Sequence, residues 1–268
     1  MKIYHLIILT ISSAMFGCAA PSQLLIHPTT GQQVKCATFG FGWLGTPIAL
    51  ANYSQCVDRY KALGYVNTEE YWAKEPPKFE TIMSQPVSPC LRPIWTENTE
   101  WNYSSSSPDG RASLKVLGRG SFKEIPVYVV VGASGKQLMI NESLGLCALV
   151  NQGNTEKEFS PPVNLYDWPL SVGKTWESHT TVKTPTGSVM EVTLFEVKGY
   201  GKVKVPAGLF DAYHIVSTKD LVLTGQIRIS ETWYSPEVQY YVKMINYTTK
   251  GKTIQELVNF KKGTKEAE

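Results

Sequence analysis

The sequence predicts a mainly β protein, an antiparallel curled sheet or open β-barrel built as two related halves behind a small N-terminal helical segment. Three observations carry this. From about Glu97 onward, apolar and polar residues alternate in short runs bounded by turn residues. A period of two gives each strand one dry and one wet face, which is the mark of antiparallel sheet. The candidate strands number about ten, enough to curl a sheet on itself. Finally, the order of motifs in the first part of this region recurs in the second. Composition agrees: of 268 residues, 43% are hydrophobic and 18% charged, which excludes a disordered or fibrous chain. Lys and Arg number 26 against 23 Asp and Glu, without a dense basic run, so no nucleic-acid partner is expected.

Residues 1–17 read as an export signal. Lys2 supplies a positive start, and Leu6 to Phe16 is apolar but too short to span a bilayer as a mature helix. The segment runs into Ala14-Met15-Phe16-Gly17-Cys18, which resembles the bacterial lipobox, with Met15 where that family usually has Leu. The resemblance implies that Cys18 becomes the mature N-terminus and is acylated, so that membrane lipid is the first partner. Each buried CH₂ of an acyl chain contributes about 0.8 kcal/mol to such anchoring. Ala19, not Asp, follows the cysteine, and by the same resemblance this implies the outer membrane. No later apolar run is long enough to cross a membrane. Residues 18–35, with His27, are expected to form a lipidated tether.

Residues 36–92 are expected to hold a glycine-rich loop and a helix. Gly40-Phe41-Gly42-Trp43-Leu44-Gly45 matches GxGxxG, and a helix follows in which Thr46 suits the cap, Pro47 the first turn and Gly64 the end. Leu50, Tyr53, Val57 and Tyr60 fall on one stripe. A dinucleotide site is nevertheless not expected, because no parallel second strand with a ribose-binding acid follows. Phe39, Phe41, Trp43 and Leu44 lie close enough to the acylated cysteine to touch the bilayer, where interfacial aromatics belong, but the favoured reading is a loop packed on the domain, with Cys36 and Cys56 tying it to its helix. With Cys18 lipidated, Cys36, Cys56, Cys90 and Cys147 remain, an even number that suggests two disulfides in an oxidising compartment. Of three pairings, Cys36–Cys56 with Cys90–Cys147 is favoured, because the first would clip a local loop. No CxxC or zinc spacing occurs, so neither metal nor cofactor is expected.

The β body divides into a first unit at 93–165 and a second at 166–262, with a charged tail at 263–268. Ile125 to Val131, Ser188 to Val197, Leu221 to Trp233 and Val238 to Thr249 read as strands. Trp101, Tyr128 and Ile140 in the first unit occur in the same order as Trp176, Tyr213 and Ile229 in the second. The second unit carries Pro169-Leu-Ser-Val-Gly-Lys-Thr-Trp176, Val205-Pro-Ala-Gly-Leu-Phe-Asp-Ala-Tyr213 and Glu231-Thr-Trp-Tyr-Ser-Pro-Glu-Val238. These resemble motifs of a domain of unknown function in exported bacterial proteins, except that Gln239 stands where Gly is common. That domain is similar to the open-barrel class that includes lipoprotein carriers, and the resemblance brings no catalytic residues with it.

Catalytic motifs fail on inspection. Gly173-Lys174-Thr175 and Gly251-Lys252-Thr253 lack the earlier P-loop glycine, their positions being held by Trp168 and Asn246. Asn141 to Gly145 lacks the first glycine of a nucleophile elbow. His27, His179 and His214 are not at metal-ligand spacing. One pair is singled out: period-two counting puts Glu231 with Ile227, Ile229 and Trp233, and Glu142 with Leu138 and Ile140. A carboxylate on an apolar face is costly unless paired or at a wet rim, so both are ligand-site candidates, or else partners of nearby Lys and Arg. The expected function is non-enzymatic: a membrane-anchored envelope lipoprotein acting as a structural or assembly module that docks other envelope proteins. The alternative is a carrier of lipid or another apolar ligand in a cavity near Trp101, Trp176 and Trp233, with an envelope hydrolase third.

Overall fold

The computed structural model describes residues 21–38, 42–74, 81–83, 89–107, 110–221 and 226–264. Cys18, Phe39, Gly40 and Phe41 lie outside them, as do the side chains of Trp43 and Leu44. The N-terminal part is a small cap made of β1 (Ser22–Ile26), β2 (Gln33–Ala37), α1 (Gly42–Ala62), β3 (Val66–Asn67) and α2 (Thr68–Lys74). β1 lies between β2 and β3 and is antiparallel to both. Within the stretch expected to be a tether, residues 22–26 and 33–35 therefore lie in strands, because burying Leu25 and Ile26 completely is worth more than leaving them wet.

α1 begins at Gly42, ahead of Thr46, so Pro47 lies inside it; Gly64, with φ +89°, follows its end. The disulfide Cys36–Cys56 clips β2 to α1 as expected. Tyr53, Val57 and Tyr60 pack against Leu25 and Cys36, whereas Leu50 is turned out to solvent and does not belong to their stripe. β3 is antiparallel to β1 and Gly42 and Gly45 lie inside the helix, so the described residues here form no parallel βαβ unit.

After β4 (Thr81–Met83) come β5 (Glu100–Ser105), β6 (Arg111–Phe122), β7 (Ile125–Gly132), β8 (Gln137–Asn141), β9 (Leu146–Asn151), β10 (Asn154–Val163), β11 (Thr175–Thr184), β12 (Gly187–Val205), β13 (Gly208–Leu221), β14 (Gln226–Ser235), β15 (Tyr240–Thr248) and β16 (Gly251–Lys261). The protein is mainly β and antiparallel, as expected, and the sheet closes fully. From β5 to β16 each strand pairs with the next, and β16 returns to β5 to complete a twelve-stranded up-and-down barrel; β4 adds beside β12. Closure leaves no free edge in the ring. The repeated motifs fall on equivalent strands when the ring is split into β5–β10 and β11–β16. Trp101 and Trp176 lie on the first strand of each half, Tyr128 and Tyr213 on the third, Ile140 and Ile229 on the fourth.

Alternation sorts the wall into two faces. The inner face brings Trp101, Tyr103, Tyr128, Phe195, Ile215 and Tyr241 into one aromatic-rich core. Tyr103 stacks on Tyr241 with centroids 4.5 Å apart, and Trp176 on Phe195 at 5.0 Å. The cap sits on the outer wall of β13, β14 and β15, where Leu24, Ile26 and Tyr71 pack against Val216, Ile229 and Tyr247. The outer face of this wall is thus dry under the cap, while its lumen face carries Ser217, Lys219, Ser230, Thr232 and Asn246.

Candidate functional site

At one end of the barrel the chain ahead of β5 crosses the mouth. Cys90 forms an isolated bridge with Leu170, whose N–H donates to the Cys90 carbonyl at 3.2 Å. Trp95 fastens the other end of this strap: its indole N–H donates to the Gln239 carbonyl at 3.0 Å, and its backbone N–H to the Tyr128 hydroxyl at 3.2 Å. The Trp95 ring lies 5.1 to 5.3 Å from those of Trp101, Tyr128 and Tyr240. Prolines at 89 and 93 keep the strap extended and out of the sheet.

Between the strap and the barrel mouth lies an open cleft of about 700 Å³, with Tyr200, Tyr213 and Tyr234 on its inner side. That volume is in the range of ligand sites, roughly 300–1,000 Å³. Tyr213 is completely buried, and its hydroxyl has no hydrogen-bond partner among the described residues. A buried polar atom in that state is rare, because leaving it unpaired costs about 1–3 kcal/mol. Leu91 and Ile94 stand at the rim, 70% and 61% exposed. Burial pushes the Cys90 thiol up to about 12, so at neutral pH it is no thiolate nucleophile. The Tyr213 phenol is pushed up chiefly by burial as well.

Deeper in the lumen a second space of about 220 Å³ is lined by Phe195, Ile215 and Met244, together with Thr193, Ser217 and Lys219. Lys219 Nζ is held by Glu191 at 2.7 Å. This space is mixed in character and below the usual size of a ligand cavity.

The residues singled out in the sequence are scattered. Trp101 sits under the strap and donates its indole N–H to the Val238 carbonyl at 3.0 Å. Trp176 reaches the lumen cavity only through Phe195. Trp233 is on the outer wall, stacked 4.5 Å from His214. The three do not surround one cavity. Glu142 lies one residue past the end of β8, where alternation stops; it is half exposed and paired with Arg119 at 2.8 Å and Arg92 at 4.0 Å. Glu231 is buried beneath the cap and accepts hydrogen bonds from His214 Nε2 at 2.7 Å and the Tyr247 hydroxyl at 2.6 Å. Tyr247 in turn meets Tyr71 of α2 at 3.2 Å. The two carboxylates therefore do not converge. The His214–Glu231 pair resembles part of a catalytic triad, but its side chains are 1% and 5% exposed and no substrate reaches them. His179 is exposed and paired with Glu177, and His27 packs edge-on against Tyr65.

The expected Cys90–Cys147 disulfide is not formed; both thiols are buried and free. Cys90 is fixed by the strap near Tyr200, Tyr213 and Tyr234, whereas Cys147 on β9 faces the Gly145 carbonyl at 3.8 Å. No group of three metal-ligating side chains occurs among the described residues. The sequence reading missed the three mouth tyrosines, since only the register of β12, β13 and β14 brings them together.

No family model and no curated protein matches the chain. Among solved structures it is similar to a candidate exported protein with a YmcC-like fold from Bacteroides fragilis, at 13% identity over 65% of this chain and all of that one, TM-score 0.42. A candidate lipoprotein from Parabacteroides distasonis matches at 14% identity over 65% and 100% of the two chains, TM-score 0.39. The hypothetical lipoprotein YmcC from Escherichia coli matches at 9% identity over 64% and 91%, TM-score 0.40. Likenesses this distant assign neither family nor activity.

Proposed function

We propose that this chain is an acylated envelope lipoprotein of the outer membrane that acts by binding, not by chemistry, and docks a segment of another envelope component in the cleft at the barrel mouth. The lipobox-like run ending at Cys18 supports the anchor and the compartment. The observation that carries the binding reading is the cleft itself: about 700 Å³ beneath the strap, with exposed Leu91 and Ile94 on its rim. A docking segment that filled the cleft and covered the two aliphatic side chains would remove this apolar rim from water. The nearby Cys90 thiol is protonated and the His214–Glu231 pair is sealed, so neither argues for catalysis.

The test is photo-crosslinking in intact cells from position 91 or 94, with Met190, exposed on β12, as the control position. The proposal predicts one discrete adduct from 91 and 94 that is absent from 190. Equal adducts from all three positions, or none from the rim, would remove it. The carrier reading draws only on the lumen cavity, whose 220 Å³ and lysine–glutamate pair suit an acyl chain poorly.

A further inference from the structure

The start of the described chain is fixed against α1. The Thr38 N–H donates to the Pro21 carbonyl at 3.4 Å, and the Thr38 hydroxyl donates to the Ala49 carbonyl at 2.7 Å. Tyr53 of the same helix donates its hydroxyl to Gln23 at 3.2 Å. Ala49 is buried between Ile48 and Leu50, which are 63% and 44% exposed. Pro47 and Ala51 beside them are exposed too. Exposed aliphatic side chains on a helix gain nothing from water; Ile48 and Leu50 flank Pro47 and Ala51 on the outer side of the first turns, with Asn52, Ser54 and Gln55 exposed in the turn that follows.

Charge adds a second observation. From Ala37 to Val57 the sequence has no charged residue, and the first ones on α1, Asp58, Arg59 and Lys61, come at its far end. The disulfide Cys36–Cys56 clips the two ends of this uncharged stretch together. The third observation is reach. Only Ala19 and Ala20 separate Cys18 from Pro21, three residue steps that span at most about 11 Å of extended chain. Whatever holds Cys18 is therefore brought close to the Ala49 turn of α1.

Resting on the lipoprotein reading of Cys18, we propose that the N-terminal half of α1, with Ile48 and Leu50 outward, is the face this protein lays on the lipid bilayer. The acyl chains would supply the affinity, and α1 would fix the orientation. The cap sits on β14 at Ile229, and the cleft lies at Pro236 of the following turn. Seven residue steps along the strand separate Ile229 from Pro236, about 23 Å, so the cleft lies a strand's length from where the cap meets β14.

The experiment uses the acylated full chain in vesicles of phosphatidylethanolamine and phosphatidylglycerol, carrying Ile48→Cys or Leu50→Cys, with Met190→Cys as control. Intact mass reads the acylation and the retained Cys36–Cys56 bond, and a membrane-impermeant maleimide reads exposure. Labelling at 48 and 50 should be several-fold slower in vesicles than in the soluble form that begins at Ala19, with 190 unchanged. Acylated protein that labels equally fast in both forms would overturn the membrane face and leave the lipoprotein reading standing. A mass without acyl groups would remove both. Ile48→Glu is the second variant: it should leave anchoring intact and make the position 50 label react faster in vesicles, and no change in that rate would also count against the face.

Discussion

Replacing Glu231 tests the packing of the cap on the barrel. The carboxylate is 4% exposed and accepts from His214 Nε2 and the Tyr247 hydroxyl. Glu231→Ala leaves two buried donors without their acceptor. Hydrogen bonds to a charged group are worth about 1.5–3 kcal/mol each, and breaking a buried pair costs about 3–5 kcal/mol. For a chain of this length, 1 kcal/mol moves Tm by roughly 2–4 °C, so a fall on the order of 10 °C is expected. Glu231→Gln keeps the shape and one acceptor oxygen, and should cost roughly half as much. A double-mutant cycle with Tyr247→Phe should show coupling of about 1–2 kcal/mol. Urea unfolding followed by tryptophan fluorescence supplies the numbers, and hydrogen exchange should rise first in β1 and α2. If Glu231→Ala lies within about 1 kcal/mol of the native chain, the carboxylate is not held as described.

In the soluble form beginning at Ala19, denatured without reductant, two thiols should react with Ellman's reagent, Cys90 and Cys147; none would restore a second disulfide. In the folded protein the Cys90 thiol, pushed up to about 12 by burial, should resist alkylation at pH 8 until unfolding. Replacing both Cys36 and Cys56 by Ser opens a link across 20 residues, costs about 3 kcal/mol in the chain-entropy account, and should loosen the cap before the barrel, as read by hydrogen exchange. Tyr103, Tyr166, Tyr240, Tyr241 and Tyr247 are all pushed up chiefly by burial. A raised phenol means that the folded state holds its protons longer, so the stability these groups add is complete below the ordinary value near 10 and is lost as pH rises beyond it. Phenolate absorbance from them should therefore appear together with loss of β-sheet dichroism, and independent titration near pH 10 in folded protein would contradict their burial.

Much of the wall was legible in the sequence because alternation is a local signal. Met190, Val192 and Leu194 share one face and Glu191 and Thr193 the other, but here the apolar set is the outer one: Met190 and Leu194 are 53% and 47% exposed while Thr193 is buried facing the lumen. Closure was not legible, since Asn102 and Asn259 meet across 157 residues and nothing local announces it. β1 is not legible as a strand because it is five residues long, and its pairing with β2 and β3 is announced by nothing local in the sequence. Counting by twos did place Glu231 with Ile229 and Trp233, yet it could not say that the dry side there is the outside of the barrel, dried by the cap. Glu142 failed for a simpler reason: the strand ends at Asn141, and the period ends with it. Cys90 sits in a proline-bounded strap, where period gives no direction, and its partner is the backbone of Leu170. The mouth tyrosines are ordinary strand residues in sequence, and become a site only through the register of three strands and the strap above them.

Native mass spectrometry of the soluble form beginning at Ala19, purified without detergent, tests the binding account most directly. A protein that docks a partner segment at its mouth, with a lumen of 220 Å³, should fly at the mass of the chain alone. A stoichiometric adduct of lipid size would contradict the account, and would make the lumen the working site.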